Sequence, residues 1–174
     1  AKESNPTMFG FPVEGFIGTT DQIKGWEDNW ADCFLNLRII PQLSILENNF
    51  LDNATINKLK EKIKSELLDH KPTNTLIHGD LWSGNIGIEK DGKGIIFDPA
   101  SWWADNEVDI AMTKLFGGFT KEFYEEYHKI FPLKKGFEKR IIIYNFYHIL
   151  NHANMFGGGY LNQVKDYVKA IITM

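Results

Sequence analysis

Cysteine is almost missing from the 174 residues: Cys33 is the only one. An internal disulfide framework is excluded, and a reducing compartment is expected. The apolar neighbours of Cys33 mark it as a packing thiol. Long apolar runs are also absent, since no stretch approaches the roughly 20 residues that cross a bilayer. The opening AKESNPTMFGFP lacks the basic-then-apolar order of a signal peptide. No membrane partner is expected, and the expected location is cytoplasmic. Positive charge is scarce: 19 Lys and Arg stand against 23 Asp and Glu, for a net charge of −4. That balance argues against nucleic acid as a partner, while leaving room for a local site that takes a small anion. The chain also starts at Ala1 without a Met, which suggests a trimmed or partial chain.

Aromatics are plentiful at 14%, with five Trp and thirteen Phe, implying broad packing faces or a ring-lined pocket. The chain suits one globular domain. Residues 1 to 20 read as loops with at most a short strand. Trp26, Trp30, Phe34 and Leu37 share one helical face, predicting a helix from about Asp21 that kinks or ends at Pro41. Ile56, Leu59, Ile63 and Leu67 predict a second helix that stops by Lys71, ahead of Pro72. The lysine-rich run within it reads as a solvated face.

Three strand candidates follow: TLIHGD, NIGIE and GIIFDP, the last two joined by a turn at Asp91-Gly92. After Pro99 the pattern returns to helices. Val108, Ala111 and Leu115 form one face, and Thr120 caps the next helix, with Phe123, Tyr127 and Ile130 inward. A long helix then runs from about Phe137 to Phe156, and a terminal one starts near Leu161. The fold class is α+β, mainly helical, with a small inserted hairpin.

The chemical signal is a double spacing. Asp80 lies five residues before Asn85, and Asn85 lies thirteen before Asp98. A hairpin brings Asn85 and Asp98 together, with Asp80 facing them across the loop. Phosphoryl transfer needs such a set: one carboxylate to orient and deprotonate a hydroxyl, and oxygen ligands to hold Mg²⁺ on nucleotide phosphates. An amide ligand adds no further negative charge beside a triphosphate. HGDLWSGN keeps the His, Asp, Leu and Asn of the protein-kinase catalytic loop in register, and FDP stands where the metal-binding D-F-G would fall. Gly79 replaces the loop arginine, and Pro99-Ala100 replaces the mobile Phe-Gly, which points to a constitutive small-molecule kinase.

These residues, together with FGFPVEGFIGTT, WEDNW, RIIPQL, FDPASWW, LFGGF, GFEKR, LNH and FGGGY, resemble the fructosamine kinase (ketosamine-3-kinase) family over nearly the whole chain. That family belongs to the aminoglycoside-phosphotransferase and protein-kinase-like group. The resemblance implies ATP- and Mg²⁺-dependent phosphorylation of the sugar 3-hydroxyl of ketosamines or glycated protein lysines, after which the unstable product frees the amine. It makes Asp80 the catalytic base and Asn85 and Asp98 the metal ligands. Trp82 becomes a platform for the sugar. Trp102 and Trp103 follow the metal loop, and either one of them lines the substrate cleft, for which Trp102 is taken, or both pack. His78 is read as bracing the catalytic loop. Asp109 is either a second brace or an ordinary carboxylate of a first helical turn.

His148 and His152 sit four apart but lack a third ligand, so packing or capping is expected of them. No glycine-rich phosphate loop between strands precedes residue 76. Residues 1–174 therefore read as the C-terminal lobe alone, without the N-terminal nucleotide-binding lobe and hinge, and with little activity by itself. Kinases for an aminoglycoside, choline or a sugar remain as alternatives, as does a non-catalytic domain derived from a kinase. Neither the oligomeric state nor the preferred ketosamine is legible.

Overall fold

A computed structural model describes residues 7–46 and 50–174. Four short strands open the described chain: β1 (Phe9–Phe11), β2 (Gly15–Ile17), β3 (Thr20–Gln22) and β4 (Gly25–Glu27). The first residues of the expected loop, 1–6, lie outside the described ones, and the rest of it is largely strand. The helix expected from Asp21 begins at Trp30 instead, capped by Asn29, whose side chain accepts the Asp32 N–H at 2.8 Å. Trp26 belongs to β4, paired with Gly10, so its helical spacing to Trp30 is a coincidence of period.

Pro41 neither ends nor simply kinks the helix. α1 (Trp30–Phe34) passes through a π-helical turn at Leu35–Ile39 into α2 (Ile40–Ile45). The Ile40 N–H reaches back to Leu35, five residues away, widening the helix where the proline ring arrives. Pro41 has no N–H for the Leu37 carbonyl four residues earlier. That carbonyl accepts from the Arg38 guanidinium at 2.7 Å instead.

α3 (Asn53–Leu68) follows, with Leu59, Ile63 and Leu67 fully buried as their spacing predicts. β5 (Asn74–Ile77) leads into the catalytic-loop motif. β6 (Ile86–Ile88) and β7 (Gly94–Ile96) form the expected hairpin, in register Ile86↔Ile96 and Ile88↔Gly94. A further strand, β8 (Trp102–Asp105), stands where a helical region was expected. It lies in an antiparallel four-stranded sheet of order β4-β1-β8-β5. Then come α4 (Glu107–Leu115), α5 (Lys121–Ile130, capped by Thr120), α6 (Phe137–Phe156) and α7 (Gly159–Ile172). α5 is less inward than its pattern suggests: none of its residues is buried, and Ile130 is largely exposed.

The core forms between this sheet and α1, α3, α4, α6 and α7. At its centre Trp30 stacks on Trp102 with ring centroids 5.5 Å apart, and Phe34 and Tyr144 pack edge-on at 5.2 Å. Such pairs add about 0.5–1.5 kcal/mol beyond area burial. The polar tips of Trp30 and Tyr144 are satisfied within the core, whereas the buried Trp102 indole N–H has no partner among the described residues. Trp30 donates to the Tyr144 hydroxyl at 3.0 Å, and that hydroxyl donates to Asp105 at 2.7 Å. His70 closes on the same Asp105 oxygen at 2.6 Å, and Arg140 grips Glu107 with two bonds of 2.7 and 2.9 Å. This network fixes the start of α4 against α3 and α6. His70, Asp105 and Glu107 are close enough to share a metal. Their oxygens, however, are already taken by Tyr144 and Arg140.

Candidate active site

β5 delivers His78, Gly79 and Asp80 to one end of the sheet. At Gly79 the backbone turns with φ +84°, and a Cβ there would sit 2.1 Å from the Ala100 carbonyl oxygen. Only glycine lets the catalytic loop and the segment after β7 pass at this separation. Asp109, in the first turn of α4, accepts the backbone N–H of His78 at 2.8 Å and of Gly79 at 2.9 Å, one on each carboxylate oxygen. Its carboxyl is buried, and burial raises its pKa to about 6 against the pull of those two N–H groups.

His78 ties the two loops. Its Nδ1 accepts the Asp80 N–H at 3.3 Å and its Nε2 lies 3.0 Å from the Phe97 carbonyl, an arrangement that calls for the hydrogen on Nε2. Phe97 in turn donates its N–H to the Asn85 carbonyl at 3.1 Å, extending the hairpin by one rung up to Asp98. Asn85 is buried, and its Nδ2 donates to the Asp80 carbonyl at 2.9 Å and carboxylate at 3.2 Å. Its Oδ1, like the exposed Asp98 carboxylate, has no hydrogen-bond partner among the described residues. Asp98 adopts φ 55°, the one positive value outside glycine among the described residues.

Asp80 is half-buried. Its carboxyl is held above the ordinary range chiefly by burial; His152, His78 and the Asn85 amide pull it down, and Asp98 pushes it further up. The three residues whose spacing carried the reading thus share one electrostatic site. The free donor set, an amide oxygen and carboxylate oxygens, is the hard oxygen kind that suits Mg²⁺.

The two expected substrate tryptophans separate. Trp82 is 37% exposed beside Asp80, folds its ring over Gly84 and meets Phe116 edge-on at 6.1 Å. Trp102 is 0% exposed in the core, with the Arg38 guanidinium 4.0 Å over its ring, so it has no face for a substrate. Its neighbour Trp103 pairs with Leu76 and Gly10 in the sheet. The motif WW marks a strand here, alternating between the two faces of the sheet.

Two site neighbours carry little sequence signal. His152 sits among Phe116, Phe156 and Tyr160, with centroids 5.0–5.7 Å away, and holds its Nδ1 2.8 Å from the His148 carbonyl. His148 is a buried packing residue whose pKa burial lowers to about 3. Gln22 reaches Ala100 from the far side of the chain. A larger apolar cleft, about 620 Å³, lies along the hairpin between Ile86, Ile95, Phe119, Phe123 and Tyr127. His78 and Asp109 line it, but neither Asp80 nor Asp98 does.

The loop and hairpin that bring Asp80, Asn85 and Asp98 together belong to a kinase-like α+β fold. The chain belongs to the fructosamine kinase family, whose model matches residues 2–174. A Synechocystis sp. protein assigned as a ketoamine kinase is 47% identical over 165 residues, covering 93% of this chain and 55% of that protein. Mouse ketosamine-3-kinase is 39% identical over 156 residues, 88% of this chain and 50% of its own length. The crystal structure of a Haemophilus somnus protein assigned as a fructosamine-3-kinase aligns with a TM-score of 0.87 at 30% identity, covering 98% of this chain and 58% of that one. The chain spans about half the length of the curated relatives it matches.

Proposed function

We propose that this chain supplies the catalytic loop and metal ligands of an ATP-dependent kinase that phosphorylates the sugar 3-hydroxyl of ketosamines, in small molecules or on glycated protein lysines. The observation that carries the reading is the convergence of Asp80, Asn85 and Asp98 on one loop and hairpin, in a member of this family. Asp80 orients the attacking hydroxyl and takes its proton as the bond to phosphorus forms. The Asn85 amide, bonded to both the backbone and the carboxylate of Asp80, keeps the base in place. Its free Oδ1 and the Asp98 carboxylate would hold Mg²⁺, which supplies neutralising charge on the nucleotide phosphates when bound. Exposed Trp82, beside the base, offers a flat apolar face to the sugar.

The 3-phosphate then breaks down and releases the amine, so the outcome is deglycation. We place this activity in the cytoplasm, on the lone buried Cys33; among the described residues no helix is long and apolar enough to cross a membrane. The chain by itself turns over little or nothing. No glycine-rich loop between strands is present in the described residues to cover the phosphates, and the relatives are about twice as long.

The test is mass-spectrometric detection of 3-phosphate formed from a fructosyl- or ribulosyl-amine by the full-length gene product with MgATP. Asp80→Asn is expected to reduce the rate at least about 10³-fold without loss of folding. Phosphorylation of an aminoglycoside, choline or a free sugar, but of no ketosamine, would reject the substrate class. An Asp80→Asn rate equal to wild type would reject the base.

A further inference from the structure

We propose that Gln22 is a positioning residue that fixes the metal-ligand loop against the catalytic loop, with Tyr147 holding its oxygen end. The proposal rests on the kinase reading above for its consequence, and on geometry alone for its contacts.

Gln22 ends β3, fifty-eight positions before the catalytic base, and its side chain is buried. Its Nε2 donates to the Ala100 carbonyl at 3.2 Å, and its Oε1 accepts from the Tyr147 hydroxyl at 3.3 Å. The Ala100 bond settles which way the amide faces, because a carbonyl only accepts and demands the nitrogen end. The oxygen end is then held by the Tyr147 hydroxyl, which donates to it. On its other side the same carbonyl lies against Gly79, close enough to exclude a Cβ. The carbonyl that follows Asp98 by two residues is therefore held between the backbone that precedes Asp80 and the Gln22 amide.

Phe97, bonded to His78 and Asn85, and β8 anchor the two ends of that segment, and Gln22 reaches its middle. Pro99 has no N–H to donate, and residues 97–99 are exposed. A notch of about 190 Å³ lies between Phe16, Gln22, Pro99 and Ser101. Asp98 itself keeps a left-handed backbone. Such a conformation persists only where neighbours over-determine it, and the Gln22–Ala100 bond is a constraint of that kind. Without it Ala100 can withdraw from Gly79, and the separation between Asp80 and Asp98 is no longer set. Misplacement by about 1 Å at reacting groups can lower a rate on the order of 100-fold.

The test uses Gln22→Leu, which keeps the bulk and removes both bonds, and Tyr147→Phe, which removes only the hydroxyl that holds the amide oxygen. Gln22→Glu serves as the control that retains an acceptor for Tyr147 but loses the donor to Ala100. In the full-length gene product, Gln22→Leu and Gln22→Glu are expected to lower kcat about 10- to 100-fold. KM for the ketosamine should change less than about threefold, and the Mg²⁺ concentration for half-maximal rate should rise. Tyr147→Phe should fall between them and wild type. Hydrogen exchange should quicken at the Phe97 N–H, which bonds Asn85 next to this segment, and stay unchanged in α6 and β1, a pattern that a general loss of packing would not produce. A folded Gln22→Leu protein with kcat within about twofold of wild type would overturn the proposal while leaving the kinase reading intact. If the wild type phosphorylates no ketosamine, the kinase reading fails; exchange at Phe97 still decides, and unchanged protection there in both Gln22 variants overturns the positioning role.

Discussion

Asp109→Asn should change the pH dependence of stability more than its size. In the wild type both carboxylate oxygens are occupied, by the N–H of His78 and of Gly79 at 2.8 and 2.9 Å, in a site where the side chain is buried. Burial raises the folded pKa to about 6, from 3.8 for the unfolded chain. A folded pKa above the unfolded one means that the stabilisation is complete below pH 3.8 and is lost as pH rises through 6. At about 1.4 kcal/mol per unit, the wild type gives up roughly 3 kcal/mol between pH 4 and 7 from this group alone. The substituted amide does not titrate. Its oxygen satisfies one N–H, while its NH₂ faces the other and leaves a buried donor unmet, at a cost of about 1–3 kcal/mol.

Asp109→Asn should therefore be less stable than wild type by about 1–3 kcal/mol at pH 4, and equal to it or slightly more stable at pH 7. Urea unfolding followed by tryptophan fluorescence at pH 4, 5, 6 and 7 measures the difference. Every other titrating group is common to the two proteins and cancels. A difference that stays constant over this range would refute the buried, ionising carboxylate. Phosphoryl transfer at pH 7 should fall although stability does not, because the loop loses one of its two anchors.

Two other perturbations test the surroundings of the site. Gly79→Ala forces a Cβ against the Ala100 carbonyl at a φ of +84°; it should destabilise by about 2–4 kcal/mol in thermal unfolding, and a loss under 0.5 kcal/mol would show that the two loops are free to part. Arg140→Met strands the buried Glu107 carboxylate and should cost about 3–5 kcal/mol in urea unfolding. Adding Glu107→Leu should recover most of that loss, whereas additive losses in the double variant would mean that the pair acts separately.

Asp80, Asn85 and Asp98 were readable because their relation is local. One strand, one loop and one two-stranded hairpin suffice to bring them together, and each leaves its own mark in the sequence. Their supports depend on partners far along the chain. β8 is four residues long and exists because β1 and β5 flank it. Without those neighbours, WWAD is an apolar run with no period of its own, and Trp102 next to the metal loop looks like a cleft residue. Trp26 misled in the opposite way, since a spacing of four suits a helix but arises here between a strand and a helix start. Gln22 carries no pattern, being one polar residue in a short hairpin. Asp109 was ambiguous because a first-turn carboxylate and a loop brace occupy the same position, and only β5 packing beside α4 separates them.

Three unfavourable features of the described chain lie around the same few residues. An ionisable carboxyl is buried at Asp109, a non-glycine residue sits at positive φ at Asp98, and two backbones pinch together at Gly79 and Ala100. Each costs on the order of 1–3 kcal/mol, and the charge at Asp109 and the left-handed turn at Asp98 are not needed to close the hydrophobic core. Packing alone would select a neutral residue at Asp109 and a glycine at Asp98. What these residues share is that each fixes the position of Asp80 relative to Asp98: Asp109 through the backbone before the base, Asp98 through its own turn, and Gly79 through the close approach between them. Strain aimed at one distance is what a reaction with fixed in-line geometry requires. It predicts that at pH 7 a relieving substitution at Asp98 or Asp109 will hold or raise stability while lowering turnover.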